Sequence, residues 1–177
     1  CPPDATLVSL VAPADLTVGR TRLIEAIRGR RSRRRYTEAP LTLEELSFLL
    51  WATQGLREPG SGRNFRTVPS GGNRHEFETY LLVQRVDGVA PGMYRYLPVE
   101  HQLCFLFDGA DLPARLADAC CGQGFVSSGA VTFIWTAVPY RMEWRYTVVA
   151  HKVIAMDAGH VCQNLYLACE AIGAGTC

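Results

Sequence analysis

Hydrophobic runs long enough to cross a membrane are absent from this sequence. A bilayer-spanning helix needs about 20 consecutive apolar residues, and the strongest candidate, residues 131–138, is short and has the composition of a β-strand. The sequence also contains neither Gly-x-Gly-x-x-Gly nor Gly-Lys-Ser/Thr. These motifs hold nucleotide phosphates in Rossmann and P-loop folds, so neither kind of site is predicted, and no membrane association is expected.

Paired cysteine spacings are absent too. The seven cysteines form no Cys-x-x-Cys motif, and Cys120 and Cys121 are adjacent. A disulfide scaffold is unusual for a chain of 177 residues, so we expect reduced thiols in a cytoplasmic protein. No metal site is predicted, because these cysteines lack histidine or carboxylate partners at ligand spacing. The sequence begins with Cys1 rather than Met, which leaves an exported form with a removed leader as the alternative.

Charge is balanced overall but concentrated locally. The chain has 18 Lys and Arg against 17 Asp and Glu. Six of the basic residues lie close together: Arg28, Arg30, Arg31, Arg33, Arg34 and Arg35. This arginine run suits a solvated or nucleic-acid-binding surface. It also suits a phosphate monoester, whose charge of about −2 and three oxygens match several guanidinium groups. The position of Ser32 within the run favours the phosphate.

Helical and strand patterns are mixed without a regular βαβ alternation, which predicts an α+β fold. Residues 1–18, which contain three prolines, are expected to form an extended N-terminal arm, and residues 19–177 a single domain. Strands are predicted at residues 80–86, 93–97, 103–107 and 130–138, a short helix at 111–121 and a long apolar helix at 148–172. The long helix has apolar residues around most of its axis, so we expect it in the core or in a dimer interface.

Two helix starts have capping signals. Thr21 is the predicted cap of a first helix that ends near Gly29. Thr42 and Glu45 form a capping box for a second helix, for which Gly55 supplies the stop.

The second candidate site is the glycine-rich stretch Pro69-Ser70-Gly71-Gly72-Asn73. It suits a plain surface turn. It also suits a flat ligand, because residues without bulky side chains allow close approach to the backbone, where amides and Ser70 can donate to ring heteroatoms. The neighbouring His75 and Glu76 would then line a substrate entrance, or lie in a solvated loop.

Six short motifs follow one another in a characteristic order. They are Arg-Arg-Ser-Arg-Arg-Arg-Tyr at 30–36, Pro-Leu-Thr-Leu-Glu-Glu-Leu at 40–46, Leu-Trp-Ala-Thr-Gln-Gly at 50–55, Arg-Thr-Val-Pro-Ser-Gly-Gly-Asn at 66–73, Pro-Gly-Met-Tyr-Arg-Tyr at 91–96 and Asp-Ala-Gly-His at 157–160. In this order they resemble the FMN-dependent nitroreductase superfamily, and in particular its SagB/McbC-type branch, which includes azoline oxidases. The resemblance covers residues 21–177. It implies an α/β sandwich with a central, mainly antiparallel sheet flanked by helices, assembled as a homodimer.

The resemblance implies FMN as the cofactor and assigns residues to it. Arg30, Arg31 and Ser32 would hold the phosphate and the ribityl chain. Arg34 would lie near the pyrimidine end of the isoalloxazine, where a cation stabilises the negative charge of the reduced ring.

The stretch at 69–73 is assigned to the same cofactor. Pro69, Ser70 and Gly71 match the loop that packs on the flavin from the partner subunit, and Gly72 and Asn73 complete this set of candidate cofactor contacts. A monomer would therefore lack a complete site. The superfamily's C-terminal strand, which follows the Gly-x-Gly turn, is expected beyond Cys177.

The implied activity is hydride transfer through flavin N5 in alternating half-reactions. NAD(P)H or another donor would visit the flavin, and the acceptor would be a small molecule such as a nitroaromatic or a quinone. The alternative is a SagB-type azoline oxidase acting on peptide heterocycles. In that branch a Lys-Tyr pair acts in proton transfer, and the matching residues here are Arg145 and Tyr146. Arginine is a poor general base, so Tyr146 is the candidate catalytic residue.

Two interpretations from other classes remain open. A flavin-free module could use the arginine run to bind anions or nucleic-acid phosphates, although the resemblance favours no nucleic-acid partner. The second interpretation is a non-catalytic flavin-binding protein with a sequestering or regulatory role. His160, Cys162 and Cys169 on the long helix are expected to be packing residues.

Overall fold

The computed structural model describes residues 2, 4–58, 60 and 64–177. Strands and helices alternate irregularly along this part of the chain. In chain order they are β1 (Leu7–Ser9), α1 (Leu23–Gly29), α2 (Leu43–Gln54), β2 (Phe77–Val83), β3 (Gly92–Leu97), β4 (Gln102–Phe107), α3 (Leu112–Ala119), β5 (Val131–Ala137), α4 (Tyr140–Tyr146) and α5 (Ala150–Ala171).

The strands form one antiparallel sheet in the order β1-β4-β3-β2-β5. β3 and β4 form the predicted hairpin, in which Leu97 is paired with Gln102. β2 lies between β3 and β5, so that Tyr80 faces Arg95 on one side and Ile134 on the other. The sheet with its flanking helices confirms the α+β class.

The main core lies between the sheet and α2. On β2 and β3, Leu81 and Tyr94 are paired across the strands, and both are buried. They pack in one cluster with Leu46 and Leu50 of α2, each completely buried. Full burial of a leucine side chain stabilises the fold by about 1.5–3 kcal/mol, so this contact orients α2 against the sheet.

Helix α5 packs against α2 but leaves one face uncovered. Leu49 of α2 is buried together with Ala168 and Cys169 of α5, and burial raises the pKa of the Cys169 thiol to about 12. On the opposite face Met156 is 59% exposed. Within the chain α5 is therefore only partly a core helix. None of the helices in the described residues, α5 included, combines the length and hydropathy needed to cross a membrane.

The N-terminal segment is extended, as expected, but it is also packed. Strand β1 is the edge strand beside β4, with Leu7 opposite Cys104, and Leu16 is buried. The neutral imidazole of His101 accepts a hydrogen bond from Tyr96 Oη (2.8 Å) and donates one to the carbonyl of Val11 (2.9 Å). The prediction of an extended arm did not include this packing against the sheet.

Two further expectations need correction, and one helix was not predicted. Thr21 does not cap α1, because its hydroxyl instead donates to the carbonyl of Ala171 (3.0 Å) and α1 begins after Arg22 without a side-chain cap. Helix α4 was not expected from the pattern, and it buries only Met142. Cys104 is disulfide-bonded, so the expectation of reduced thiols is wrong at that position. The five other described cysteines are free.

The capping box of α2 is confirmed and gives a first prediction. Thr42 Oγ1 accepts the Glu45 N–H (3.1 Å), and Glu45 Oε2 accepts the Thr42 N–H (2.8 Å). Thr42→Ala removes one acceptor, so we expect it to lower the free energy of unfolding by about 1 kcal/mol, measured by urea denaturation. Thr42→Ser keeps the acceptor, so its free energy of unfolding should fall much less. Equal losses in the two variants would show that the cap is not the cause.

Candidate functional site

The arginine run is anchored to α5 and to the C-terminal turn. The guanidinium of Arg33 forms an ion pair with Glu170, and this hydrogen bond holds the pKa of the Glu170 carboxyl below its usual range. The backbone N–H of Arg33 donates to the carbonyl of Thr176 (2.9 Å). These contacts hold the run against the end of α5.

The backbone N–H groups of the run are already largely used inside the chain. That of Arg30 donates to the carbonyl of Ala26 (2.9 Å), and that of Arg31 to the carboxylate of Glu170. The backbone N–H groups of Arg30, Arg31 and Arg33 are therefore not free to bind an anion. Any anion bound here must be held mainly by side chains.

The side chains of the run are grouped around aromatic rings. Ser32 Oγ lies 3.0 Å from Tyr166 Oη, and the guanidinium of Arg30 lies 5.3 Å from the centre of the Tyr166 ring. Arg34 lies in the same way over Phe125, at 5.6 Å. Such stacking restricts an arginine while leaving its N–H donors available. Tyr166 was not assigned to the candidate site from the sequence.

Most of the charge in the run is uncompensated. Of its six arginines, only Arg33 has an ion pair with an acidic residue in the described part of the chain. Arg30, Arg31 and Arg34 therefore keep guanidinium groups free for an anionic ligand. Because these side chains are largely solvated, the repulsion among them is tolerable without a ligand.

A cavity of about 440 Å³ adjoins the run. Its walls come from Arg33 and Arg35 on one side, from β5 and from the face of α5 that carries Cys162 and Tyr166. The indole N–H of Trp135 on β5 is buried without a hydrogen-bond partner in the described residues. The cavity thus combines cationic and apolar walls next to the candidate anion site.

The glycine-rich stretch is held at the other end of α5. The Gly71 N–H donates to Asp157 Oδ2 (2.9 Å), and Ser70 Oγ accepts the N–H of His75 (2.9 Å). Gly72 has φ +58°, a conformation that glycine adopts without strain. The stretch is therefore a turn fixed by hydrogen bonds, in which Gly72 and Asn73 both have positive φ, rather than an unconstrained surface loop.

Helix α4 brings Tyr146 to this turn. A Cβ atom at Gly72 would lie 2.9 Å from both Tyr146 Oη and Arg145 Nε, and one at Gly71 would lie 3.5 Å from Tyr146 Oη. The lack of side chains at both positions therefore lets the phenol hydroxyl approach the backbone of the turn. The structure brings the candidate catalytic residue and the candidate cofactor loop together.

His75 and Glu76 do not lie in a solvated loop. They are 7% and 0% exposed, respectively. Burial lowers the pKa of His75 to about 4 and raises that of Glu76 to about 7. Arg66 is also largely buried nearby, and its Nη1 donates to Gln54 Oε1 (2.5 Å). This buried polar layer beneath the turn was missed from the sequence, because nothing in the local pattern marks these residues as buried.

The arginine run and the glycine-rich turn contact different parts of α5. Gly71 contacts Asp157 and Ser32 contacts Tyr166, nine residues further along the helix. At about 1.5 Å per residue this is a separation of roughly 14 Å along the helix axis. Each half of the predicted site is well defined, but the two halves are not adjacent in one chain.

The chain combines an α+β fold, built on an antiparallel sheet, with an arginine cluster and a glycine-rich turn. These features define the class of protein with which the chain is compared. The family model described as the nitroreductase family matches residues 27–177. A nitroreductase homologue from Methanocaldococcus jannaschii is 37% identical over 147 residues, which are 83% of this chain and 72% of the relative. The chain belongs to the nitroreductase family.

Solved structures show the same fold. A nitroreductase homologue from Ralstonia eutropha superimposes with a TM-score of 0.77 and 27% identity, covering 96% of this chain and 73% of that one. A nitroreductase homologue from Anabaena variabilis has a TM-score of 0.77 and 24% identity, and the match covers 98% of this chain and 35% of that one. A chain of the Escherichia coli microcin synthetase McbBCD complex with truncated pro-MccB17 bound has a TM-score of 0.61 and 20% identity, covering 95% and 71%.

The comparisons confirm the resemblance at the level of the superfamily and its fold. Family membership supports an oxidoreductase of the flavin-dependent kind. Because the identity to the microcin synthetase chain is only 20%, this similarity shows the fold alone. Membership of the azoline-oxidase branch therefore stays a prediction. The cofactor contacts assigned to individual residues also stay predictions.

The close fit of Tyr146 against the turn gives a second prediction. Gly72→Ala introduces a Cβ 2.9 Å from Tyr146 Oη at a positive φ, so both strain and steric overlap should destabilise the protein, by more than about 1 kcal/mol. Gly88→Ala is the matched control, because Gly88 has φ +76° but a Cβ there meets nothing within 4 Å. The melting temperature of Gly72→Ala should fall further. Equal shifts would rule out the contact with Tyr146.

Proposed function

We propose that this protein is an FMN-dependent oxidoreductase that transfers a hydride equivalent between NAD(P)H, or another donor, and a small-molecule acceptor. The observation that carries the proposal is the set of arginines beside Ser32 whose guanidinium groups form no ion pair within the described residues, in a chain of the nitroreductase family. A near-neutral protein with one such local cluster fits a small phosphate-bearing ligand better than a long polyanion.

The residues present fit the phosphate of FMN. Arg30 and Arg31 offer guanidinium donors, and the hydroxyls of Ser32 and Tyr166 lie next to Arg30. A hydrogen bond to a charged group contributes about 1.5–3 kcal/mol. Three or four such bonds would anchor the cofactor, and the dianion would relieve the repulsion within the run.

When bound, FMN supplies the two-electron chemistry, accepting a hydride at N5 and passing electrons to a second substrate. The chain contributes the surroundings. Arg34 would place a fixed positive charge near the ring, and Tyr146 Oη at the glycine-rich turn would donate or relay a proton. The neighbouring residue is Arg145, and arginine is a poor general base, which favours the nitroreductase direction over the azoline-oxidase direction.

Two copies of the chain would complete the site. In one chain the turn at 69–73 and the arginine run lie at different parts of α5, so the turn of the partner subunit would cover the flavin held by the first. The exposed face of α5 with Met156 and Gly159, together with exposed Trp144 and Val148, is the surface proposed for this dimer. Exposed apolar patches of this kind mark interaction surfaces.

Cofactor binding is the primary test. Purified protein incubated with FMN should retain the visible flavin bands after desalting, and these bands should bleach when NAD(P)H is added without oxygen. Arg30→Ala should weaken FMN binding about 10-fold to 100-fold, because one charged hydrogen-bonding group is lost. Arg22→Ala is the control, since Arg22 is exposed and paired only with Glu25. A colourless protein that no flavin reconstitutes would contradict the proposal.

The dimer has its own test. Gly159 lies on the exposed face of α5, and a Cβ there meets nothing within 4 Å. Gly159→Glu should therefore leave the protomer intact, while its charge opposes the proposed interface. We expect sedimentation velocity to show monomers that no longer bind FMN. Ala114→Glu, on exposed α3, should stay dimeric and keep FMN. A flavin-loaded dimer of Gly159→Glu would exclude this interface.

A further inference from the structure

A pair of buried carboxyl groups lies beneath the glycine-rich turn. Glu76 comes just before β2 and is completely buried, and Asp157 on α5 is 3% exposed. Their carboxyl groups are within hydrogen-bonding reach of each other. Glu76 Oε1 is buried and has no hydrogen-bond partner in the described residues. Two acceptor groups that face each other need a proton between them.

Both carboxyl groups also contact the turn. Asp157 Oδ2 accepts the Gly71 N–H at 2.9 Å. Ser70 Oγ, which accepts the His75 N–H, lies 3.5 Å from Glu76 Oε2 as a donor. Because successive residues of the turn are held by the two acids, the geometry of the pair determines where the turn sits.

The surroundings do not neutralise a second negative charge in this pair. The other charged or titratable groups around it, drawn from the preceding loop, β2, α4 and α5, are Arg66, Arg74, His75, Glu78, Arg141 and His160.

Few of these groups are free to act on Glu76. Arg141 is bonded to Glu78 (2.5 Å) and the low pKa of His75 keeps that imidazole neutral near pH 7. His160 lies 3.6 Å from the outer side of Asp157. Arg66 attracts the Glu76 carboxylate, but burial and the charge of Asp157 act in the opposite direction. A single proton shared by two like charges is the usual outcome in such a site.

We propose that Glu76 and Asp157 share one proton, and that the protonated pair is the positioning element that holds residues 70–73 in the conformation that contacts the flavin. The link to the flavin rests on the proposed function, whereas the shared proton does not. Loss of the proton leaves two buried carboxylates in contact, so the pair separates and the Gly71 N–H loses its fixed acceptor.

The direction of the pH dependence follows from the raised pKa of Glu76. An acid with a pKa of about 7 in the folded chain and an ordinary value when unfolded binds its proton more tightly in the fold. The stability that this group contributes is present below the unfolded pKa and is lost as the pH rises through about 7. His75, with its lowered pKa, changes stability in the opposite direction, so the Glu76 effect must be measured as a difference between variants.

Glu76→Gln is the central test variant. Glutamine has the shape of the protonated acid, and its amide donates to Asp157 without a titrating proton. Between pH 5.5 and pH 8, the melting temperature of the wild-type protein should fall relative to that of Glu76→Gln. Asp157→Asn should give the same loss of pH dependence, because the amide donates to Glu76 while its oxygen still accepts the Gly71 N–H. If the melting temperatures of all three proteins changed with pH in parallel, the shared proton would be overturned.

The position of the turn is measured without the cofactor. Hydrogen exchange of the Gly71 amide, compared at matched pH, should accelerate in wild type relative to Glu76→Gln as the pH rises to about 7, by up to tenfold per pH unit, and should level off at higher pH. Glu78→Gln is the control on the same strand, since Glu78 is paired with Arg95 and Arg141. Equal protection of Gly71 in wild type and Glu76→Gln at every pH would overturn the positioning role.

FMN titration then tests the link to the flavin. The dissociation constant of wild type should rise above that of Glu76→Gln as the pH increases from 6 to 8, and the comparison at each pH cancels the titration of the phosphate itself. Equal constants for the two proteins would overturn this link. Failure of every variant to bind FMN would overturn the proposed function, while melting and exchange would still decide the shared proton.

Discussion

Helix α5 carries the contacts on which both candidate segments depend. Asp157 accepts the backbone N–H of Gly71, and Glu170 is paired with Arg33, thirteen residues further along the helix. Because the rise of a helix is constant, these two contacts are about 20 Å apart along its axis. The arginine run and the glycine-rich turn of one chain therefore cannot approach each other while α5 is intact. This constraint is the physical reason for proposing that a second subunit completes the site.

Charge compensation differs between the surface and the interior of this protein. The guanidinium groups of Arg30, Arg31 and Arg34 form no ion pair with an acidic residue in the described part of the chain, and water screens their repulsion. Their guanidinium groups stay available to a ligand. Glu76 also has no cationic hydrogen-bond partner among the residues that the structure describes, but it is buried, where an unpaired charge is costly. The same lack of a partner therefore favours ligand binding at one place and retention of a proton at the other.

Local patterns predicted those elements whose signals lie within a few residues. The capping box of Thr42 and Glu45, the β3–β4 hairpin and the long helix are all present. The predictions from local patterns failed where contacts between distant residues determine the structure. Thr21 bonds to Ala171 at the far end of the chain, and α4, with only Met142 buried, has no apolar period to reveal it. The pairing of β1 with β4 likewise depends on residues about 100 positions apart.

The sequence by itself determined the fold class and family, because motif order, capping residues and alternating strands are properties of short segments. It also located the arginine run and the glycine-rich turn. Only the tertiary structure decided what these segments contact. It placed Tyr166 beside Ser32, Tyr146 against Gly72, and Glu76 with Asp157 beneath the turn. Burial and proximity between residues far apart in the chain arise from packing, so no local pattern specifies them.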